Sequence, residues 1–202
     1  RILHTLETSG YVEKSAEGRY VMSVDRQALI PTSMLSRLLR VATPHLRELT
    51  REFGESTALG VLFENHIETM AVVESPQVIR MGNTVGRILQ PHASSIGKSI
   101  TAFQTEERRE HLLRSYGILR MTPQTIIDEQ ALVEEFRSIR ERGYSVDDEE
   151  TTAGGLCFGC AVSISEDEVL AAISMSMPKA RAGAAETHQR LIEGVVRTAR
   201  AI

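Results

Sequence analysis

Apolar residues recur along this chain with two periods, and the switches between them divide it into elements. Ile2, Leu3 and Leu6 fall at helical spacing within Arg1–Ser9, and the pattern stops at Gly10, a good helix terminator. Tyr11–Lys14 and Arg19–Ser23 then read as short strands around Ala16-Glu17-Gly18, so this end predicts a helix followed by a two-stranded wing. From Thr32 the helical period returns, carried by Leu35, Leu38, Leu39, Leu46 and Leu49. Pro44 permits a kink or a restart there, and Thr43 is placed to cap the second half.

Alternation takes over at Glu55–Phe63 and Ile67–Glu74, which predict a hairpin turned at Glu64-Asn65-His66. The stretch from Ser75 to Gln90 carries Pro76, Gly82 and Gly86 and predicts a short strand around Val78–Met81 followed by a loop. Small residues at Ala93, Ser94, Ser95 and Gly97 lead into a helical run ending near Phe103. Thr105-Glu106-Glu107-Arg108 opens the next helix, to about Ser115, with a capping-box pattern. Asp128 caps Glu129–Arg142, whose stripe is Leu132, Val133, Phe136 and Ile139 and whose stop is Gly143. Leu156–Ile164 and Val169–Met175 form a second hairpin around Ser165-Glu166-Asp167-Glu168, and Ala180–Ile202 closes the chain as a helix. Interleaved helices and antiparallel hairpins predict an α+β fold, a sheet flanked by helices.

The second hairpin carries the candidate chemistry. Alternation puts Cys157, Gly159 and Ala161 on one side of its first strand, and Ser174 and Ser176 on one side of its second. If those faces coincide, a thiol, two hydroxyls and the preceding Asp147 line a concavity sized for a small polar metabolite. The competing reading is a sheet interior packed with small side chains. The small-residue loop before the 94–103 helix lets backbone approach a ligand, and the helix amides there favour an anion. Asp147 opposes a bare anion, which favours a hydroxy acid or a keto acid hydrate over a simple dicarboxylate.

Cys157 and Cys160 form a C-x-x-C, a spacing shared by redox pairs and half zinc sites. Three residues apart on a strand they point to opposite faces, and no second pair completes a tetrahedral set, so neither a disulfide nor zinc is expected. Cys157 should face the pocket. A thiolate nucleophile at Cys157 near His92 is disfavoured because Asp147 raises a thiol pKa. Six scattered histidines offer no ligand pair; a metal site would have to be assembled from Asp147, Cys157 and His92 by folding. No cofactor motif is present.

Composition narrows the function classes. The chain has 202 residues, 42% hydrophobic and 25% charged, as in an ordinary globular protein. Its formal charge of -4 excludes a surface coated for nucleic acid, so any DNA contact must be local. Aromatics at 4%, with no Trp, disfavour base-stacking platforms for single strands. No run approaches the roughly 20 apolar residues that span a bilayer, and no signal peptide is visible, which favours a cytoplasmic protein. Arg1 stands inside a helical pattern without an initiator Met, so residues upstream are expected to be missing.

The ordered set TLETSGYV, GRYVMS, PHLRELTREFGEST, PHASSIGKS, TPQTI, RERGYSVDDEETTAGGLC and AAISMSMP resembles the IclR family of bacterial transcriptional regulators, over nearly the whole chain. The resemblance implies the C-terminal part of a winged helix-turn-helix over residues 1–24, a linker helix region over 25–42, and a GAF-like effector-binding domain over 43–202. It implies promoter DNA as a partner, with Arg1, His4, Lys14 and Arg19 as the basic candidates on the DNA side. It also implies a homodimer or dimer of dimers, and a small-molecule effector that changes operator affinity. Effector positions carry over to Ser95, Ile96, Asp147, Cys157, Ser174 and Ser176, with apolar walls at Val78, Met81, Leu89 and Leu156. Relatives often have a smaller residue at Ile96, so the pocket here should be narrower. Two other classes stand beside this one: a stand-alone sensor or dimerisation module, and a GAF-like cysteine enzyme.

Overall fold

The computed structural model describes residues 12–14, 20–22, 31–165, 168–183 and 185–202. At the N-terminal end β1 (Val12–Lys14) pairs antiparallel with β2 (Tyr20–Met22), joining Val12 to Met22 and Lys14 to Tyr20 in a sheet of their own. This is the strand pair expected of a wing. The helix expected over Arg1–Ser9 lies outside the described residues.

The larger sheet has six antiparallel strands in the order β5-β4-β3-β8-β7-β6. They are β3 (Ser56–Leu62), β4 (Ile67–Val73), β5 (Ile88–Leu89), β6 (Ser145–Asp148), β7 (Gly155–Ser165) and β8 (Glu168–Pro178). Both expected hairpins are present, and the pairing of β3 with β8 joins them into one sheet. The strand expected at Val78–Met81 is absent: that segment is an irregular crossing with Val78 94% exposed. Pro76 cannot donate to a ladder and the alternation around it is broken, so only Ile88–Leu89 finds an edge, against Ile67 and Glu68.

Helix α1 (Thr32–Phe53) runs unbroken through residue 42 and through Pro44. The expected restart is not there: Thr43 Oγ1 donates to the Leu39 carbonyl at 2.6 Å instead of capping a second helix. Leu38, Ala42, Leu46 and Leu49 are buried along one stripe. Together with α5 (Ala185–Ala201) this stripe covers one face of the sheet, built from alternate residues such as Leu59, Phe158, Ile173 and Met175. Thr57 marks that face, donating to the Leu46 carbonyl at 3.1 Å.

The other face receives α2 (Ser95–Ala102), of which every residue is buried. Helix α3 (Glu106–Tyr116) is capped by Thr105, and α4 (Glu129–Arg142) by Asp128, whose carboxylate accepts the Ala131 amide at 2.8 Å. Gly143 ends α4 in the left-handed region, as its sequence position predicts. Leu132, Phe136 and Ile139 bury against Ala102, whereas Val133 of the expected stripe faces solvent.

Candidate functional site

Cross-strand register settles whether the two hairpin faces coincide. Asp147 on β6 pairs with Cys157 on β7, Cys157 with Ser176 on β8, and Ser176 with Ser56 on β3. The next rung runs Ser145, Gly159, Ser174, Ala58. Directly paired residues share a face, so both rungs look toward α2.

Gly159 lets α2 settle there. A Cβ on it would stand 2.6 Å from Ser145 Oγ and 2.7 Å from the Ser95 carbonyl oxygen, closer than such contacts occur. In the space this leaves, Ser145 Oγ donates to the Ser95 carbonyl at 2.6 Å and meets Ser99 Oγ at 2.8 Å. Gly60 does the same two strands over, on β3, where a Cβ would fall 2.5 Å from Ile96 Cγ2.

Ser94 caps α2, accepting the Gly97 amide at 3.0 Å and donating to the Gln90 carbonyl at 2.9 Å, while its own carbonyl takes the Lys98 amide. The Ser95 and Ile96 amides make no hydrogen bond among the described residues, the usual state of a helix's first turn. They look into a cavity of about 90 Å³ between the helix start, the two rungs and the crossing over residues 81–90. At the ~30 Å³ that one water takes in the liquid, such a volume corresponds to about three waters. Ser174 is 4% exposed and lines this cavity beside Ser176.

Asp147 has a role other than the expected one. Its carboxylate accepts the Glu150 amide at 2.9 Å, the Thr151 amide at 3.1 Å and the Thr151 hydroxyl, so it organises the loop after β6 before any ligand arrives. Burial nevertheless pushes its pKa up, against the pull of those bonds and of Lys98. The same loop is held from outside by Thr122 Oγ1, which donates to the Glu149 carbonyl at 2.6 Å, and by Thr125 Oγ1, which donates to that of Glu150 at 2.7 Å. Lys98, buried on α2, pairs with Glu150 and, at 3.3 Å, with Glu135, which Arg142 contacts at 2.8 Å. Burial holds the Glu150 carboxyl at about 7 despite Lys98, and its Oε2 has no partner among the described residues.

Cys157 and Cys160 are free and lie on opposite faces of β7; the Cys160 thiol donates to the Gly143 carbonyl. Burial, with Asp147 behind it, pushes the Cys157 thiol up to about 12, and a hydrogen bond with Ser176 offsets only part of this. It is a neutral wall group at ordinary pH. His92 is fully buried outside the cavity, bonded through Nε2 to the Leu119 carbonyl at 3.0 Å, so folding does not gather it with Asp147 and Cys157.

Of the residues expected to form the pocket, Ser95, Ile96, Asp147, Cys157, Ser174 and Ser176 all line the cavity, as do Met81 and Leu89. Two do not. Val78 projects into solvent from the crossing, and Leu156, one residue from Cys157, points by alternation into the core under α1 and α5. Arg1, His4 and Arg19 lie outside the described residues, and Lys14 is placed only as backbone in β1. Sequence reasoning missed Asn83, Arg87, Gln90, Met121 and Thr151 around the cavity. They sit in irregular segments whose side chains follow no period.

Comparison with known proteins places this geometry. Residues 33–202 match the family model described as bacterial transcriptional regulator IclR C-terminal. The transcriptional repressor IclR of Escherichia coli (strain K12) is 32% identical over 185 residues, 90% of this chain and 68% of that protein. The HTH-type transcriptional regulator XynR of the same strain is 32% identical over 189 residues, 92% of this chain and 74% of that protein. Among solved structures, the C-terminal domain of the E. coli transcriptional regulator KdgR superposes with a TM-score of 0.72 at 29% identity, covering 81% of this chain and 94% of that one. An IclR homologue from Microbacterium hydrocarbonoxydans, crystallised with 4-hydroxybenzoate, superposes at 0.74 with 25% identity, covering all of this chain and 81% of that one. The match spans both helical layers, the whole six-stranded sheet and the strand face that forms the cavity, and on that extent the chain belongs to the IclR family of bacterial transcriptional regulators.

Proposed function

We propose that the cavity at the start of α2 is the effector site, and that a short organic acid bound there changes the affinity of the protein for promoter DNA. The observation that carries this reading is the meeting of two helix amides, free of hydrogen bonds among the described residues, with the hydroxyl side chains of Ser174 and Ser176 around one small cavity. Amides at a helix start suit a carboxylate, and a hydroxyl suits the carbonyl or hydroxyl beside it. The neighbour that binds 4-hydroxybenzoate takes a ring of about ten non-hydrogen atoms with its substituents; the volume here, with Ile96 intruding, suits a shorter acid.

In this reading β1 and β2 belong to the wing of a DNA-binding module covering residues 1–24, residues 25–42 connect it to the effector domain, and the protein acts as a homodimer or dimer of dimers. An effector shifts DNA affinity only by its differential affinity for the two conformations. The raised Cys157 pKa weighs against the alternative of a thiolate enzyme on the same fold.

Thermal-shift measurement with a panel of two- to four-carbon oxo, hydroxy and dicarboxylic acids tests the site. A true effector stabilises by about 2.7 kcal/mol at a hundred times its Kd. The same acid should change retention of a promoter fragment from upstream of the gene in a gel-shift assay. If no acid of the panel moves the midpoint, the cavity is not the effector site.

A further inference from the structure

Resting on the effector-site reading above, we propose that Arg87 sets the charge number of the effector, so that the site takes a short dicarboxylate, one carboxylate on the Ser95 and Ile96 amides and the other on the Arg87 guanidinium. The helix start and the serine face line the cavity, and so does the crossing over residues 81–90, through Asn83, Arg87 and Gln90.

Three backbone hydrogen bonds position Arg87 just before β5. Its amide donates to the Thr84 carbonyl at 3.2 Å, its carbonyl accepts the Thr69 amide at 2.9 Å, and the neighbouring Gly86 amide donates to Thr69 at 2.8 Å. The guanidinium itself has no carboxylate partner among the described residues. Arg51, Arg80, Arg114, Arg142, Arg181 and Arg197, by contrast, each hold a glutamate. Its charge is felt inside the cavity, where it acts on the Cys157 thiol. Among the other lining residues, Asn83 Nδ2 is a buried donor and Gln90 Oε1 a buried acceptor, neither with a partner among the described residues. A planar fork plus an amide donor is the recognition set for a carboxylate, and the spare acceptor suits a hydroxyl next to it.

Asp147 was the sequence-based reason to disfavour a second negative charge. In the structure its oxygens are occupied by three donors of its own loop, and burial pushes its pKa up, which lowers its resistance to an incoming anion.

Titration calorimetry on the chain with matched probes tests the assignment: oxalate against oxamate, malonate against malonamate, succinate against succinamate. For at least one pair the dianion should bind tenfold or more tighter than its monoamide. Arg87→Gln should cut the dianion's affinity about tenfold and leave the monoamide within twofold, Arg87→Lys should restore most of the preference, and both variants should melt within about 2 °C of the unaltered protein because the side chain is exposed. Dianion and monoamide binding equally, or Arg87→Gln weakening both alike, would overturn the charge-counting role while leaving a small-acid site standing. Binding by none of these probes or of the oxo and hydroxy acids would instead remove the effector-site reading itself.

Discussion

Gly159→Ala tests the seat of α2 on the sheet, the contact on which the cavity depends. The added methyl would lie 2.6 Å from Ser145 Oγ and 2.7 Å from the Ser95 carbonyl oxygen, with the Ser95 carbonyl carbon at 2.8 Å. Neither neighbour is the far end of a flexible chain: one is backbone in the first turn of a wholly buried helix, the other a hydroxyl held at 2.6 Å to that same carbonyl. Overpacking of this kind costs ~1–3 kcal/mol. Breaking the Ser145 to Ser95 bond adds ~1 kcal/mol. Against these, alanine stiffens the unfolded chain and is favoured over glycine in a strand by ~0.5–1 kcal/mol. The net expectation is a loss of about 1–3 kcal/mol, read as a lowered urea midpoint with unchanged m-value, and a weakened response to any cavity ligand because the Ser95 and Ile96 amides are displaced. Gly82→Ala is the stability control: a Cβ there meets nothing within 4 Å, and its effect should stay within about 0.5 kcal/mol. If Gly159→Ala unfolds within that same margin, the helix is not seated as described and the cavity's shape has another origin.

Ser174→Ala should lower the affinity of a bound acid by ~1 kcal/mol, about fivefold, with the urea midpoint essentially unchanged; calorimetry and denaturation together read both halves. Lys98→Met leaves the buried Glu150 carboxyl without its cation and the half-buried Glu135 with Arg142 alone, and should cost ~3–5 kcal/mol of unfolding free energy. The pH profile follows from Glu150, whose folded pKa of about 7 stands above its ordinary 4.5, so its contribution to stability is complete below 4.5 and is lost as pH rises through 7. A rise of that size amounts to about 3 kcal/mol, and burial raises Asp147 in the same direction. Unfolding measured from pH 4.5 to 8 should therefore decline more steeply than in Glu150→Gln; parallel curves would place the raised pKa elsewhere.

Local chemistry determined much of this protein by itself. The caps Thr105 and Asp128, the terminator Gly143, and the alternation along β3, β4, β7 and β8 are decided within a few residues, and each element they predict is present. Alternation also sufficed to set Cys157 and Cys160 on opposite faces and to nominate Asp147, Cys157, Ser174 and Ser176 together. That Ser95 and Ile96 meet the serine face came from the family resemblance, since no local period links them to it.

Tertiary structure decided the rest. The register that joins β3 to β8 is a pairing between strands more than a hundred residues apart, and only there do both rungs become one surface. The work of Asp147 was invisible because its partners lie in a turn with Glu149 in the left-handed region, a conformation no hydrophobic pattern encodes. Val78 and Leu156 were misplaced for opposite reasons: an apolar residue in an irregular crossing has nothing to bury against, and a strand neighbour of a pocket residue faces the other way. Lys98 and Glu150 are two charges that sequence assigns to solvent. Burial becomes tolerable for them only once α2 and the loop after β6 are brought together, because each then supplies the counter-charge the other would lack in a dry interior.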